Sequence, residues 1–172
     1  MKTSLDTCLR TSVLAAALAL SACAGHTAAA NLESRSGSSV TGTSSFSEKD
    51  NKVTVTVDVA GATPGKHGAH IHENGDCSAP DAASAGGHWN PATKTHGTPD
   101  PNHHLGDLGN IDVGADGKGQ LTVTREWTVG DGAASDVVGK AVVIHAGEDD
   151  LKTDPAGNSG GRQACGVISL KK

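Results

Sequence analysis

The sequence predicts an antiparallel all-β fold, a sandwich or barrel carrying two long functional loops. Three observations lead there. Val53, Val55, Val57 and Val59 alternate with Thr54, Thr56 and Asp58, the period-two pattern of a half-buried strand. Asp116-Gly117, set between Ile111/Val113 and Leu121/Val123, carries the chemistry of a hairpin turn. No window beyond residue 22 sustains a 3.6-residue apolar period, so helices are not expected.

Taken in order, residues 1–22 read as an export signal. Lys2 and Arg10 precede the apolar run 13–20, which is too short to span a bilayer as a mature helix. Leu20-Ser21-Ala22-Cys23 resembles a bacterial lipobox, which would lipidate Cys23; Ala22-Cys23-Ala24 or Ala28-Ala29-Ala30 would equally serve ordinary cleavage. Residues 23–31 are then the lipidated cysteine and a short aperiodic tether, and 32–172 the folded domain. A strand is expected around 40–46, a polar turn at 48–52, and the Val strand at 53–59. Leu121, Val123, Trp127 and Val129 share one parity, interrupted by Arg125, and suggest a further strand. The short apolar runs 141–144 and 167–170 suit packed strands. Segments 75–107 and 148–161 hold no apolar run and are rich in Gly, Pro, Asn and Asp. Loops of that length are usually functional or disordered, and the histidines gathered in the first favour function.

Composition narrows the function. Of 172 residues only Phe46, Trp89 and Trp127 are aromatic, which argues against stacking platforms for single-stranded nucleic acid. The net charge of −5 argues against a general polyanion binder, so no nucleic-acid partner is expected. Nine histidines stand out among so few large side chains, and histidine is the commonest metal ligand. Of four cysteines, Cys8 leaves with the leader and Cys23 is taken by lipid. Cys77 and Cys165 remain as an even pair in an oxidising compartment, where a bridge is expected.

His70-Ile71-His72 sets two imidazoles at i and i+2, on one face of a strand leading out of Gly68. Alone, that pair more often marks a solvated strand face than a metal site. His88, His96, His104 and Asp107 follow at loop spacings, and His145 ends the run 141–144. A metal can organise a loop that lacks hydrophobic contacts of its own. A carboxylate among imidazoles suits zinc, and an all-imidazole set suits copper or zinc.

Four motifs then carry a resemblance. Gly68-Ala69-His70-Ile71-His72-Glu73 is similar to the copper-binding signature of the copper,zinc superoxide dismutases. Ser84-Ala85-Gly86-Gly87-His88-Trp89-Asn90-Pro91 resembles that family's bridging-histidine segment, and His104-Leu105-Gly106-Asp107-Leu108-Gly109-Asn110 its zinc segment. Gly157-Asn158-Ser159-Gly160-Gly161-Arg162-Gln163-Ala164-Cys165-Gly166-Val167-Ile168 resembles its C-terminal signature. The resemblance runs in order from about Asn31 to the C-terminus.

It implies an eight-stranded Greek-key β-sandwich or flattened barrel, with one copper and one zinc per subunit. Copper would be held by His70, His72, His88 and His145, and zinc by His88, His96, His104 and Asp107, with His88 shared. The substrate implied is the superoxide anion, dismuted to dioxygen and hydrogen peroxide by a copper redox cycle in which His88 also carries a proton. Arg162 aligns with the arginine that attracts and orients the anion. Asp149 aligns with a carboxylate linking a copper histidine to a zinc histidine, and His67 with a structural histidine. Cys77 and Cys165 resemble the family disulfide. The His104-x-Gly-Asp107 spacing favours His104 over His103. The implied site of action is outside the cytoplasm, in the periplasm or cell envelope, with membrane contact only through Cys23. Bacterial and eukaryotic members dimerise through different surfaces, which leaves a homodimer open.

The inserted-looking segment 78–83 resembles exported bacterial members, and Ala156 stands where a threonine often narrows the channel. A metal-storage relative would be expected to lose a copper ligand or the arginine, whereas His70, His72, His88, His145 and Arg162 are all present. A structural or adhesive lipoprotein would have no reason to keep two overlapping ligand sets in order.

Overall fold

Alternation decides which faces turn inward. In the computed structural model, which describes residues 26–171, the four valines of strand β3 (Lys52–Ala60) are buried while Thr54 and Asp58 face outward. β3 pairs with β2 (Thr41–Lys49) along its whole length, through a turn whose Asp50 and Asn51 both take positive φ. On its other side β3 pairs with β6 (Lys118–Arg125), where Thr54–Thr124 and Thr56–Thr122 hydroxyls bond across the outer face. The Asp116-Gly117 turn returns the chain from β5 (Asp107–Val113) to β6, with Gly117 at φ 73.

The remaining strands are β1 (Thr27–Ser34), β4 (Gly65–His72), β7 (Ala141–His145), β8 (Arg162–Val167) and the two-residue β9 (Ser169–Leu170). Their order is β2-β3-β6-β5-β4-β7-β8-β1, and β1 pairs back to β2 to close an eight-stranded antiparallel barrel. The connections β3→β4 and β6→β7 each pass over two strands, which is the Greek-key arrangement. One short 3-10 turn, Ala83–Ala85, is the only helical element among the described residues. The expected all-β barrel is therefore the observed one.

Three boundaries differ from expectation. The segment expected to be a tether folds from Thr27 onward as β1, with Ala28, Ala30 and Leu32 buried against the core. Small alanines alternating with Thr, Ala and Asn carry too little hydrophobic contrast to register as a strand. The strand expected through Trp127 and Val129 stops at Arg125; both residues are buried from within a loop, 126–140, that the shared parity disguised. The run 167–170 is broken at Ile168, which is buried between β8 and β9. The leader 1–22 and Cys23 lie outside the described residues.

Two cores result. The main one fills the barrel with the β3 valines, Phe46, Ile71, Ile111, Trp127, Val142 and Ile144. A smaller one lies outside, beneath the long loop, where Ala141, Val143 and Cys165 meet Ala82, Ala85 and Cys77. The Cys77–Cys165 disulfide, with Cα atoms 5.8 Å apart, joins that loop to β8. This outer face of β4, β7 and β8 is where the histidines gather.

Candidate metal centre

His70 and His72 leave β4 on its outer face because Ile71 between them points into the barrel. The ladders shift register between Ala69 and His70 and again between Ile144 and His145. Such irregularities re-aim side chains, and here each falls beside a histidine. His88 reaches the same place because the loop is stitched to β4: Trp89 N–H donates to Ile71 O at 2.8 Å and Glu73 N–H to Gly87 O at 3.0 Å. His72 and His88 thereby form an isolated antiparallel bridge.

The four rings of His70, His72, His88 and His145 are buried, with one ligand-type atom from each lying within 4.8 Å of the others. His70 Nδ1, His72 Nε2, His88 Nε2 and His145 Nε2 are four of the seven buried side-chain polar atoms without a hydrogen-bond partner among the described residues. The opposite nitrogen of each ring is engaged. His70 Nε2 donates to Asp149 Oδ2 at 2.8 Å, His72 Nδ1 to Gly86 O at 2.9 Å, His145 Nδ1 to Gly160 O at 3.0 Å and His88 Nδ1 to Asp107 Oδ1 at 2.9 Å. A buried nitrogen left without a partner is costly, and four converging with their lone pairs exposed fit a cation that takes imidazole ligands. Burial disfavours the charged form of three of the rings, lowering His70 to about 3 and His145 to about 4, with His72 also pushed well down.

A second set closes on Asp107, the first residue of β5. Its Oδ1 accepts from His88 Nδ1 at 2.9 Å and His96 Nδ1 at 3.1 Å, and lies 3.4 Å from His104 Nδ1. His104 Nδ1 is also 3.4 Å from His88 Nδ1. A tetrahedral zinc with bonds of about 2.0–2.1 Å separates its ligands by roughly 3.3 Å, so these spacings suit one small ion. His70 also comes within 4.8 Å of His88, His96 and Asp107, but its Nε2 is taken by Asp149 and its Nδ1 belongs to the first set.

Asp149 lies between the sets, accepting from His70 Nε2 and, at 2.8 Å, from His96 Nε2. Burial opposes the charge on His96, but hydrogen bonds to Asp107 and Asp149 outweigh it and raise the ring to about 10. Bonds from His88 and His96 to Asp107, and from His70 and His96 to Asp149, outweigh burial on both carboxyls and hold them well below the usual range. Gly157 is required here: it sits at φ +62, and a Cβ would strike the Asp149 carboxylate and stand 2.7 Å from His96 Nε2.

The other sequence candidates fall around these sets. Arg162, at the start of β8, donates to Ala82 O and Gly86 O, each at 2.6 Å, and so shares the Gly86 carbonyl with His72. His67 does not point into either set: its Nδ1 lies 2.8 Å from His145 O and its Nε2 2.8 Å from Thr63 O, pinning the β3–β4 connection to β7. His103 pairs with Asp100 at 3.1 Å, half-buried and away from Asp107. His26 is exposed, 3.8 Å from Glu48. Sequence reasoning missed the braces. Asn110 clasps the Asp149 backbone from both sides, at 2.9 and 2.8 Å, and Asp154 accepts from His96 N–H at 2.6 Å. Asn110 ends the zinc-segment motif without any sign of this role there, and Asp154 lies in no quoted motif.

Comparison with known proteins agrees with this geometry. The profile of the family described as Copper/zinc superoxide dismutase (SODC) matches residues 40–168. A superoxide dismutase [Cu-Zn] of Deinococcus radiodurans is 44% identical over 171 residues, covering 91% of this chain and 93% of the relative. An extracellular superoxide dismutase [Cu-Zn] of Brugia pahangi is 41% identical over 154 residues, covering 84% and 76%. Among solved structures, that of the clock protein EA4 matches with a TM-score of 0.75 at 35% identity, covering 86% of this chain and 96% of that one.

Proposed function

Since the chain belongs to the copper/zinc superoxide dismutase family and dismutes superoxide, we propose that its two histidine clusters divide the family's two metals between them. Copper falls to His70, His72, His88 and His145, and zinc to His88, His96, His104 and Asp107, with His88 common to both. The observation that carries this assignment is the set of four partnerless buried nitrogens. Bound copper supplies the one-electron cycle by which two superoxide anions and two protons become dioxygen and hydrogen peroxide, while zinc has no redox chemistry and fixes its ligands. Both ligand sets are complete within one chain.

The chain's own residues then have separable tasks. His88 is the proton carrier: its Nδ1 faces Asp107, so the proton is taken up and returned at Nε2, on the side of the four-nitrogen cluster. Arg162 binds and orients the anion, its fork pre-set by two carbonyls that leave the positive charge uncompensated. Asp149, Gly86 O and Gly160 O fix ring orientation and tautomer by accepting from the nitrogens that face away from the copper.

The test loads the purified protein with both metals and measures bound metal and superoxide disappearance, with His145→Ala alongside. Loss of copper with zinc retained, and a fall in activity of about 100-fold or more, is expected. Unchanged activity in this variant overturns the copper assignment.

The same proposal places the enzyme outside the cytoplasm, protecting the cell envelope, with residues 1–22 removed and Cys23 lipidated. The basic start and apolar run 13–20 support export, as does the extracellular setting named for the Brugia pahangi relative. Cleavage after Ala30 is disfavoured, because it would strip Ala28 and Ala30 from the core. Mass spectrometry of the native N-terminus is expected to find acyl groups on Cys23; an unmodified N-terminus at Gly25 overturns the anchor.

A further inference from the structure

Arg35, Arg125 and Arg162 are the arginines among the described residues, and they are not equivalent. Arg35 pairs with Glu33 at 3.1 Å. Arg125 and Arg162 form no ion pair among the described residues, and each is held by two backbone carbonyls. Arg162 is fixed by Ala82 and Gly86 beside the four-nitrogen cluster. Arg125 is fixed by Thr124 O at 3.0 Å and by Asp107 O at 3.1 Å, on the far side of the Asp107 cluster. A guanidinium held this way keeps its charge and part of its donor fork available. Arg125 is half-buried, so that charge is not simply dispersed into solvent.

Arg125 opens onto a cleft of about 490 Å³ between the loop that carries His104 and the end of β6. Pro99 and Leu105 supply apolar walls with Trp127 packed behind them, and Lys94 adds a second cation whose only partner among the described residues is the Pro101 carbonyl. The acids do not cancel this charge. The lining carries three cations, Lys52, Lys94 and Arg125, against two carboxylates, Asp100 and Glu126. Trp127 is fully buried, yet its indole N–H has no hydrogen-bond partner among the described residues.

We propose that this cleft is a binding site for a small monocarboxylate with a flat apolar body, separate from the copper-side cluster. The Arg125 fork matches a carboxylate in two parallel hydrogen bonds, and Lys94 adds charge. The Pro99 and Leu105 walls take the face of a ring, and the volume lies within the usual range for small-molecule sites. A hydrated inorganic anion would leave those apolar walls uncovered.

Benzoate is the probe, titrated into the reduced, metal-loaded protein while the two indole N–H resonances, Trp89 and Trp127, are followed by NMR after backbone assignment. A saturable movement of the Trp127 signal is expected. Arg125→Gln weakens it by about tenfold or more, Lys94→Gln by a few-fold, and Arg162→Gln leaves it unchanged. Benzyl alcohol, the same ring without the charge, binds about tenfold more weakly or not at all. The proposal is overturned if no saturable shift occurs or if benzyl alcohol matches benzoate. It is equally overturned if Arg162→Gln abolishes binding, which would put the ligand at the copper side. If Arg125→Gln fails to fold, Lys94→Gln decides: it is an exposed substitution, and unchanged benzoate binding in that variant also overturns the site.

Discussion

The two histidine clusters proposed to hold the metals share a ring and are built in opposite ways. In the four-nitrogen cluster, His70, His72 and His145 stand on β4 and β7, strands buried between barrel neighbours on both sides. In the Asp107 cluster, His88, His96 and His104 all come from the connection between β4 and β5, and only Asp107 belongs to a strand. The first set is aimed by the pleat, because His-x-His on a strand needs nothing further to present two rings together. The second must be tied. Its loop is fastened to β8 by the disulfide, to β4 by the Ile71–Trp89–Gly106 backbone bonds, and to the segment 148–161 through Asp149 and Asp154. The barrel fixes one half of the site, and tethers fix the other.

Cutting the longest tether is expected to have the largest effect. The disulfide spans 88 residues, and on the chain-entropy account a loop of that length contributes roughly 4–5 kcal/mol. Replacing both cysteines by serine should lower the thermal midpoint strongly. If the comparison holds, the double variant also loses zinc sooner than copper on heating, because the zinc-side loop is what the bridge restrains. Copper leaving first would break it.

Asp149→Ala probes the same contrast at one side chain. Asp149 supports a strand ring, His70, and a loop ring, His96, at the same 2.8 Å. Removing an outer hydrogen-bond partner typically costs about 10–100-fold in metal affinity. The loop ring should suffer more, since His70 is still oriented by β4. Zinc affinity measured against a competing chelator is expected to fall further than copper affinity; equal losses would show that strand placement confers no advantage.

How much of this was legible follows the same division. Strands with strong contrast, such as the β3 valines, declare themselves, whereas β1 buries alanines that differ little from their exposed neighbours. Trp127 and Val129 share a strand's parity by accident of a loop that folds back over the barrel. In the site, side chains that coordinate are constrained to His or Asp and leave motifs. The atoms that orient them do not. The Gly86 and Gly160 carbonyls exist at every residue, and Asn110 acts on a partner 39 positions away, so neither writes a pattern into the sequence. Segment 78–83, visible only as an insertion, supplies the Ala82 carbonyl that holds Arg162.

That last contact sets the smallest predicted effect. Arg162 lies on the strand-held half but is steadied by carbonyls from the loop, so it joins the two construction modes without touching either ligand set's free nitrogens. Arg162→Gln should therefore leave copper and zinc contents unchanged and slow superoxide removal by about tenfold at low ionic strength, within the range that charge steering supplies. The rate should also become less sensitive to salt, because added ions screen an attraction that is no longer present. Arg162→Lys separates charge from geometry. It restores the salt dependence but recovers only part of the rate, since an ammonium on a flexible stem lacks the planar fork that two fixed carbonyls pre-orient. Full recovery by lysine would mean that the loop carbonyls hold the arginine for stability alone and that its charge, wherever it points, is sufficient.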